Sequence, residues 1–268
     1  MVVYKYEELK DSPIIQGSIY QYGEGGGFGG DPLQKLVNVG NKGGIRPRKN
    51  VLNSDKKAYI VLQSTDNPIW KNRLDPDSND ATYFGDNKNP DCDPRESRGN
   101  KALIKAYSHM QEGFCTPLLI FKKNENPSGL EFFSLAIPHI NPDGTPGYEE
   151  IDSDSEGNPV RNYKFTLDLI KTGNMDLRPL LNELRLGNTD FLTLFKKINN
   201  NYAPNETVTG PKPPKQKEFL EFLHKRGFTY EPSFVVDFLL GLKAKQFMIF
   251  CGGTGTGKTK LAQLYEQY

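Results

Sequence analysis

The sequence predicts an α+β protein. It has a β-rich N-terminal domain over residues 1–170, a helical connector and linker over 171–216, and the opening strand, loop and helix of an α/β domain over 217–268. Three observations predict it. Up to residue 170, apolar runs such as "SIYQY", "AYIVL", "PLLIFKK" and "EFFSLAI" alternate with Gly, Pro, Asn and Asp clusters, the rhythm of strands and turns. From Met175 the texture becomes amphipathic helix. Near the end, "QFMIF" runs into the glycine-rich "CGGTGTGKT", a strand entering a loop and then a helix.

The elements follow in order. "DPLQKLVNV" reads as a short helix, with Asp31 as cap and Pro32 at the first helical position. "NKALIKAYSHMQEG" reads as a second helix, apolar at Ala102, Ile104, Ala106, Tyr107 and Met110 and stopped by Gly113. "MDLRPLLNELRLGNTDFLTLFKKINNN" reads as two helices separated by a glycine. "NNNYAPNETVTGPKPPKQK" has no apolar periodicity and the composition of a linker. "KEFLEFLHKRGF" and "PSFVVDFLLGLKAK" are two further amphipathic helices, and "QFMIF" is a short buried strand.

Composition narrows the function classes. A formal net charge of +1 on 268 residues neither demands nor excludes a nucleic-acid partner, because a basic face can be offset by acidic loops. Cys92, Cys115 and Cys251 are odd in number and lack metal-ligand spacing, so a disulfide framework is not expected and a reduced cytoplasmic setting is. The N-terminus lacks a basic-then-apolar leader, and no apolar run approaches the roughly 20 residues of a membrane span. The only Glu-x-Lys lies at Glu8–Lys10 with no apolar strand before it, and His109, His139 and His224 are scattered, so no nuclease centre is expected.

Gly252-Gly253-Thr254-Gly255-Thr256-Gly257-Lys258-Thr259 fits G-x-x-x-x-G-K-[ST]. Glycines let main-chain N–H groups turn inward around phosphates, and the following helix N-terminus adds a positive dipole. Lys258 is expected on the β/γ-phosphates and the Thr259 hydroxyl on Mg²⁺. Hydrolysis also needs an acidic strand and usually a neighbour's arginine. Only nine residues follow Thr259, so the chain reads as the front part of a longer protein with no nucleotide turnover by itself. "GEGGGFGG" formally contains G-x-G-x-x-G at Gly25, Gly27 and Gly30, but no parallel βαβ unit follows, and a tight turn is the better reading.

Two resemblances emerge. "FLLGLKAKQFMIFCGGTGTGKTKLAQLYEQY" resembles the start of the AAA+ domain of McrB-type restriction NTPases, departing from it at Gln246 and at Thr254-Gly255-Thr256. That resemblance implies Mg with GTP or ATP once the AAA+ domain is complete, a separate McrC-like nuclease subunit, and a homo-oligomeric ring in a full-length form. Further upstream, "DPLQKLVNVGNKGGIRPR", the Trp…Leu-Asp…Thr-Tyr-Phe-Gly-Asp-Asn block of 70–87 and Arg98-Gly-Asn100 occur in the order of another family. Residues 14–168 resemble the SRA-like recognition domain of AspBHI/MspJI-like modification-dependent restriction endonucleases. This second resemblance implies a curved sheet or partly open barrel that binds duplex DNA carrying 5-methylcytosine by flipping the base.

A flipped cytosine requires a flat aromatic partner, a carboxylate for its amino group and a small space for the methyl. Residues 70–87 concentrate these types in Trp70, Asp75, Tyr83, Phe84 and Asp86. Carried from the family, Tyr83 is the stacker, Asp75 the edge reader, Trp70 a second wall and Asp86 the rival carboxylate. The plainer readings are a core Trp70, one of Tyr83 and Phe84 facing the core because strand residues alternate, and Asp75 and Asp86 capping turns. Lys42, Arg46 and Arg48 form a basic patch beside a glycine turn, a candidate contact to the DNA backbone. Arg98 and Asn100 are implied, by resemblance, to enter the duplex where the base leaves. The alternative reading is a P-loop NTPase whose N-terminal β domain binds a protein partner or unmodified nucleic acid.

Overall fold

The segment "KAYIVLQS" forms a strand buried on both faces, and the rest of the N-terminal unit is arranged around it. Strands covered on both sides read as continuous apolar runs. Tyr59 and Val61 face one core layer, Ile60 and Leu62 the other. The structure is a computed structural model that describes residues 2–24, 29–52, 55–65, 67, 69–87, 92–187, 190–201, 216–230, 235, 238 and 258–266. It divides into two units, Met1–Ala203 and Pro204–Tyr268.

The first unit contains β1 (Val3–Tyr4), β2 (Ile19–Gln21), α1 (Pro32–Val37), β3 (Ile45–Lys49), β4 (Lys57–Ser64), β5 (Asp80–Phe84), α2 (Arg98–Gln111), β6 (Leu118–Asn124), β7 (Gly129–Pro138), β8 (Tyr148–Ser153), β9 (Pro159–Ile170), α3 (Arg178–Leu186) and α4 (Phe191–Asn201). The strands run in the order β1-β2-β7-β6-β4-β3, and β9 pairs with β7, β5 and β8. The β1–β2 and β4–β6 pairs are parallel; the other pairs are antiparallel. The long β7 and β9 each serve several partners along their length, which carries the sheet from β2 round to β5 and β8. This is the mixed, β-rich architecture expected from the sequence.

Two apolar layers flank the sheet. One packs α1, α3 and α4 against Tyr59, Val61, Leu119 and Phe121; the other packs α2 against Ile60, Leu62, Tyr83 and Phe165. The helices of 178–201, expected as a connector, bury Leu180, Leu181, Leu184, Phe191 and Leu194 in the first layer and are part of this unit's core. Gly187 ends α3 in the left-handed region that favours glycine. The Asp31 side chain accepts from Leu33 N–H, and Pro32 opens α1, as expected. α2 begins at Arg98, two residues ahead of the expected start, because Asp93 and Pro94 build a 3₁₀ turn leading into it.

In the second unit, α5 (Gln216–Lys225) and α6 (Lys258–Glu266) contribute Phe219, Leu223, Leu261 and Leu264 to a separate core with Val235 and Phe238. The linker from 202 to 215, the strand at 246–250 and Gly252–Gly257 lie outside the described residues. Lys258 and Thr259 are the first two residues of α6. No described helix is long and apolar enough to cross a membrane.

Candidate modified-base pocket

Strand alternation decides which aromatic of "TYFG" faces the pocket. Tyr83 is 3% exposed and belongs to the α2-side core, whereas Phe84 is half-buried and turned outward. The Phe84 ring meets Trp70, with centroids 5.5 Å apart and planes 35° off parallel. Trp70 belongs to neither core cluster of this unit. The two rings form the aromatic wall of a pocket of about 520 Å³. Its remaining walls include Gly43, Gly44, Asn72, Asp86 and Asn87.

Tyr83 reaches the same pocket from below. Its hydroxyl donates to Gln63 O at 3.0 Å. Burial, followed by the nearby Asp86 carboxylate, raises its pKa far above the ordinary tyrosine value, so it remains a protonated donor. The stacking role carried to Tyr83 is therefore corrected: the ring facing Trp70 is Phe84.

The rival carboxylates separate clearly. Asp75 is exposed, does not line the pocket, and accepts from Asp77 N–H at 3.0 Å in an Asx turn. The edge-reading assignment to Asp75 is corrected, because its carboxylate caps this turn outside the aromatic pocket. Asp86 lines the pocket two residues beyond the end of β5. Its Oδ2 accepts from Ile45 N–H at 3.4 Å. A Cβ on Gly44 would stand 3.3 Å from Asp86 Oδ1, and one on Gly99 2.5 Å from Asp86 Oδ2, so two glycines give the carboxylate its room.

Asn100, read as a duplex-entering residue, is fully buried. Its Oδ1 accepts from Asp86 N–H at 2.8 Å, and its Nδ2 donates to Pro94 O at 2.9 Å and Asp86 O at 3.3 Å. A side chain with all these bonds inside the protein does not enter DNA; it fixes the loop that carries Asp86. Arg98, one turn away at the start of α2, is exposed.

The basic patch divides in the same way. Arg46 is 7% exposed and pairs with Asp31, also contacting Gln63 Oε1, Gly43 O at 2.9 Å and Gly40 O at 3.2 Å. It therefore ties the glycine turn to the start of α1. Arg48 donates to Asn38 O at 2.8 Å, just past the end of α1. The assignment of Arg46 to the DNA backbone is corrected, because its guanidinium is consumed by main-chain and side-chain acceptors of the protein; Arg48 commits one guanidinium N–H to Asn38 O. Lys42 is exposed on the turn beside the pocket.

Asn72 is a site residue that the sequence reading did not single out. Its Oδ1 accepts from Phe84 N–H at 2.8 Å and its Nδ2 donates to Ser64 Oγ at 3.0 Å, which holds the Trp70 loop against β5. Its place two residues after the lone Trp was the available signal. Among the described residues no group of three or more His, Cys, Asp or Glu could hold a metal ion.

The model of the restriction endonuclease AspBHI N-terminal family matches residues 14–208. The chain belongs to that family. Among solved structures, the DNA modification-dependent restriction endonuclease AspBHI is 25% identical at a TM-score of 0.59, over 70% of this chain and 90% of that one. The DNA recognition domain of the cytosine modification-dependent restriction endonuclease LpnPI is 21% identical at a TM-score of 0.61, over 79% of this chain and 98% of that one, a likeness of fold. No curated protein matches the chain. The AspBHI N-terminal family match extends past β9 through α3 and α4, the helices that complete the first core layer.

Proposed function

We propose that the first unit binds duplex DNA carrying a modified cytosine and holds the extruded base in the pocket between Trp70, Phe84 and Asp86. The observation that carries this reading is the joining of an aromatic wall and a carboxylate in one pocket of an AspBHI N-terminal family fold. Trp70 and Phe84 supply π-faces for the base. The Asp86 carboxylate accepts the cytosine N4 amino hydrogen, a group that thymine lacks. The Gly43–Gly44 main chain, free of side chains, offers the close wall that a 5-methyl group needs. Lys42 and Arg98 meet the duplex backbone.

The test is fluorescence anisotropy with three otherwise identical duplexes, bearing 5-methylcytosine opposite G, cytosine opposite G, and thymine opposite G. The expected order is 5-methylcytosine several-fold tighter than either of the others. Equal affinity for the methylated and unmethylated duplexes overturns the reading and leaves the alternative, a domain for a protein partner or unmodified nucleic acid. Loss of the preference in Asp75→Ala but not in Asp86→Ala overturns the carboxylate assignment.

For the second unit the proposal rests on its sequence. The 252–259 loop is a binding site for the phosphates of GTP or ATP with Mg²⁺, with Lys258 and Thr259 as the side-chain contacts. Coupling to a McrC-like nuclease through an oligomeric AAA+ ring is part of the same proposal. Nucleotide binding that survives Lys258→Ala would count against it.

A further inference from the structure

A second pocket lies in the other core layer of the first unit, between α1, Tyr59 of β4 and α3. It encloses about 480 Å³, and its lining includes Lys10, Lys35, Arg178 and Arg185 against a single carboxylate, Asp11. Among the described residues none of these four cations forms an ion pair.

Part of this charge has structural work. Arg178 donates to Leu9 O at 3.1 Å and Leu36 O at 3.4 Å, Arg48 donates to Asn38 O at 2.8 Å, and the Tyr59 hydroxyl donates to Val37 O at 2.8 Å. The bonds to Leu36 O, Val37 O and Asn38 O satisfy carbonyls at the end of α1, which a helix leaves without partners, while Arg178 spends its other donors on Leu9 O and, from Nε at 2.6 Å, on Ser12 O. That accounts for one side of the cluster only. Arg185, which lines the pocket, has a buried Nε with no hydrogen-bond partner among the described residues. Arg178, Arg185 and the Tyr59 side chain line the same pocket.

Buried donors without acceptors are costly, and in folded proteins they are usually met by water or an ion. A pocket lined by two guanidiniums and two lysines matches a multiply charged oxyanion better than a single carboxylate. We propose that this pocket binds a phosphate group, at a site separate from the base pocket and from the 252–259 loop. Phosphate could come from a small phosphorylated compound or from a nucleic-acid backbone, and the chemistry of recognition is the same for both.

The experiment uses the full chain carrying Lys258→Ala, which removes the phosphate-loop lysine, and titrates pyrophosphate by calorimetry. Binding is expected, and Arg185→Gln is expected to weaken it at least about tenfold, an amount such titrations resolve readily. Lys10→Gln, at an exposed side chain, changes charge without touching the fold and is expected to weaken binding in the same direction. Thermal melting confirms that both variants are folded. A short unmodified duplex that displaces pyrophosphate assigns the site to the DNA backbone, whereas no displacement assigns it to a small phosphorylated compound; either supports the site. No binding by the parent chain, unchanged affinity in both variants, or binding of hexaglutamate in preference to pyrophosphate overturns it.

Discussion

Asn100 holds the main chain of Asp86 from both sides. Its Oδ1 accepts the Asp86 N–H at 2.8 Å, and its Nδ2 donates back to Asp86 O at 3.3 Å. The carboxylate proposed to read the base thus stands on a fully buried amide. Replacing Asn100 with Ala strands buried main-chain groups, which costs about 1–3 kcal/mol in urea unfolding. The same variant is expected to lose its preference for the methylated duplex while keeping its affinity for the unmethylated one. A lowered stability with an intact preference would reduce Asn100 to a purely structural role.

The neighbours Tyr83 and Phe84 are expected to fail differently. Phe84→Ala removes a half-buried wall and should weaken binding of the methylated duplex by about 1–3 kcal/mol, with little loss of stability. Tyr83→Ala opens a cavity in the α2-side core and should cost about 3 kcal/mol or more of stability. Paired anisotropy and denaturation measurements separate the two. Similar profiles for both variants would contradict the alternation.

The basic residues near the glycine turn are expected to divide into a structural group and a group that contacts DNA. Arg46→Ala leaves Asp31 as an uncompensated buried charge and is expected to lower stability by about 3–5 kcal/mol. Lys42→Ala and Arg98→Ala should leave stability near the parent value. Each should reduce the salt dependence of DNA binding by about 0.9 in the log–log slope, the signature of one lost phosphate contact. Measuring affinity across a salt series checks this; an unchanged slope in both would remove these residues from the interface.

His109 provides a pH test of the fold. Burial is the main influence and lowers its pKa, Lys105 and Lys56 add to that, and Glu112 and Asp55 oppose it. A histidine whose folded pKa is lowered stabilises the fold above its unfolded value, about 6.5, and loses that contribution as pH falls through the folded value. The melting temperature should therefore fall from pH 7.5 to pH 5.5 more steeply in the parent chain than in His109→Gln. Parallel curves would show that other groups carry the acid sensitivity.

The sequence showed clearly what depends on local rules. Asp31 and Pro32 announced α1, the apolar run at 58–62 announced a buried strand, and Gly187 announced the break between α3 and α4. The block from 70 to 87 drew attention to the pocket because its residue types are rare together. What the sequence could not show was which residues the fold spends on itself. Arg46 reads as a surface cation until Asp31, 15 positions earlier, is seen beside it. Asn100 reads as polar and accessible until the Asp86 loop closes over it. Asp75 and Asp86 are chemically alike, and only the Asx turn at Asp77 against the wall near Gly44 tells them apart. Such distinctions rest on long-range pairing, which composition and periodicity do not encode.

The contact between Trp70 and Phe84 has one more consequence. At 5.5 Å the rings rest against each other, whereas a base inserted between them needs about 7 Å, twice the carbon contact distance. A base stacked between them would have to prise the pair apart, so its stacking energy would be measured against the contact the two rings make with each other. The tryptophan in that contact is the only one in the chain. Under the proposed function its emission, unmixed with any other indole, is expected to change when a nucleobase stacks on its face. The protein therefore carries a built-in optical probe, and stopped-flow fluorescence with unlabelled DNA can time the arrival of the base.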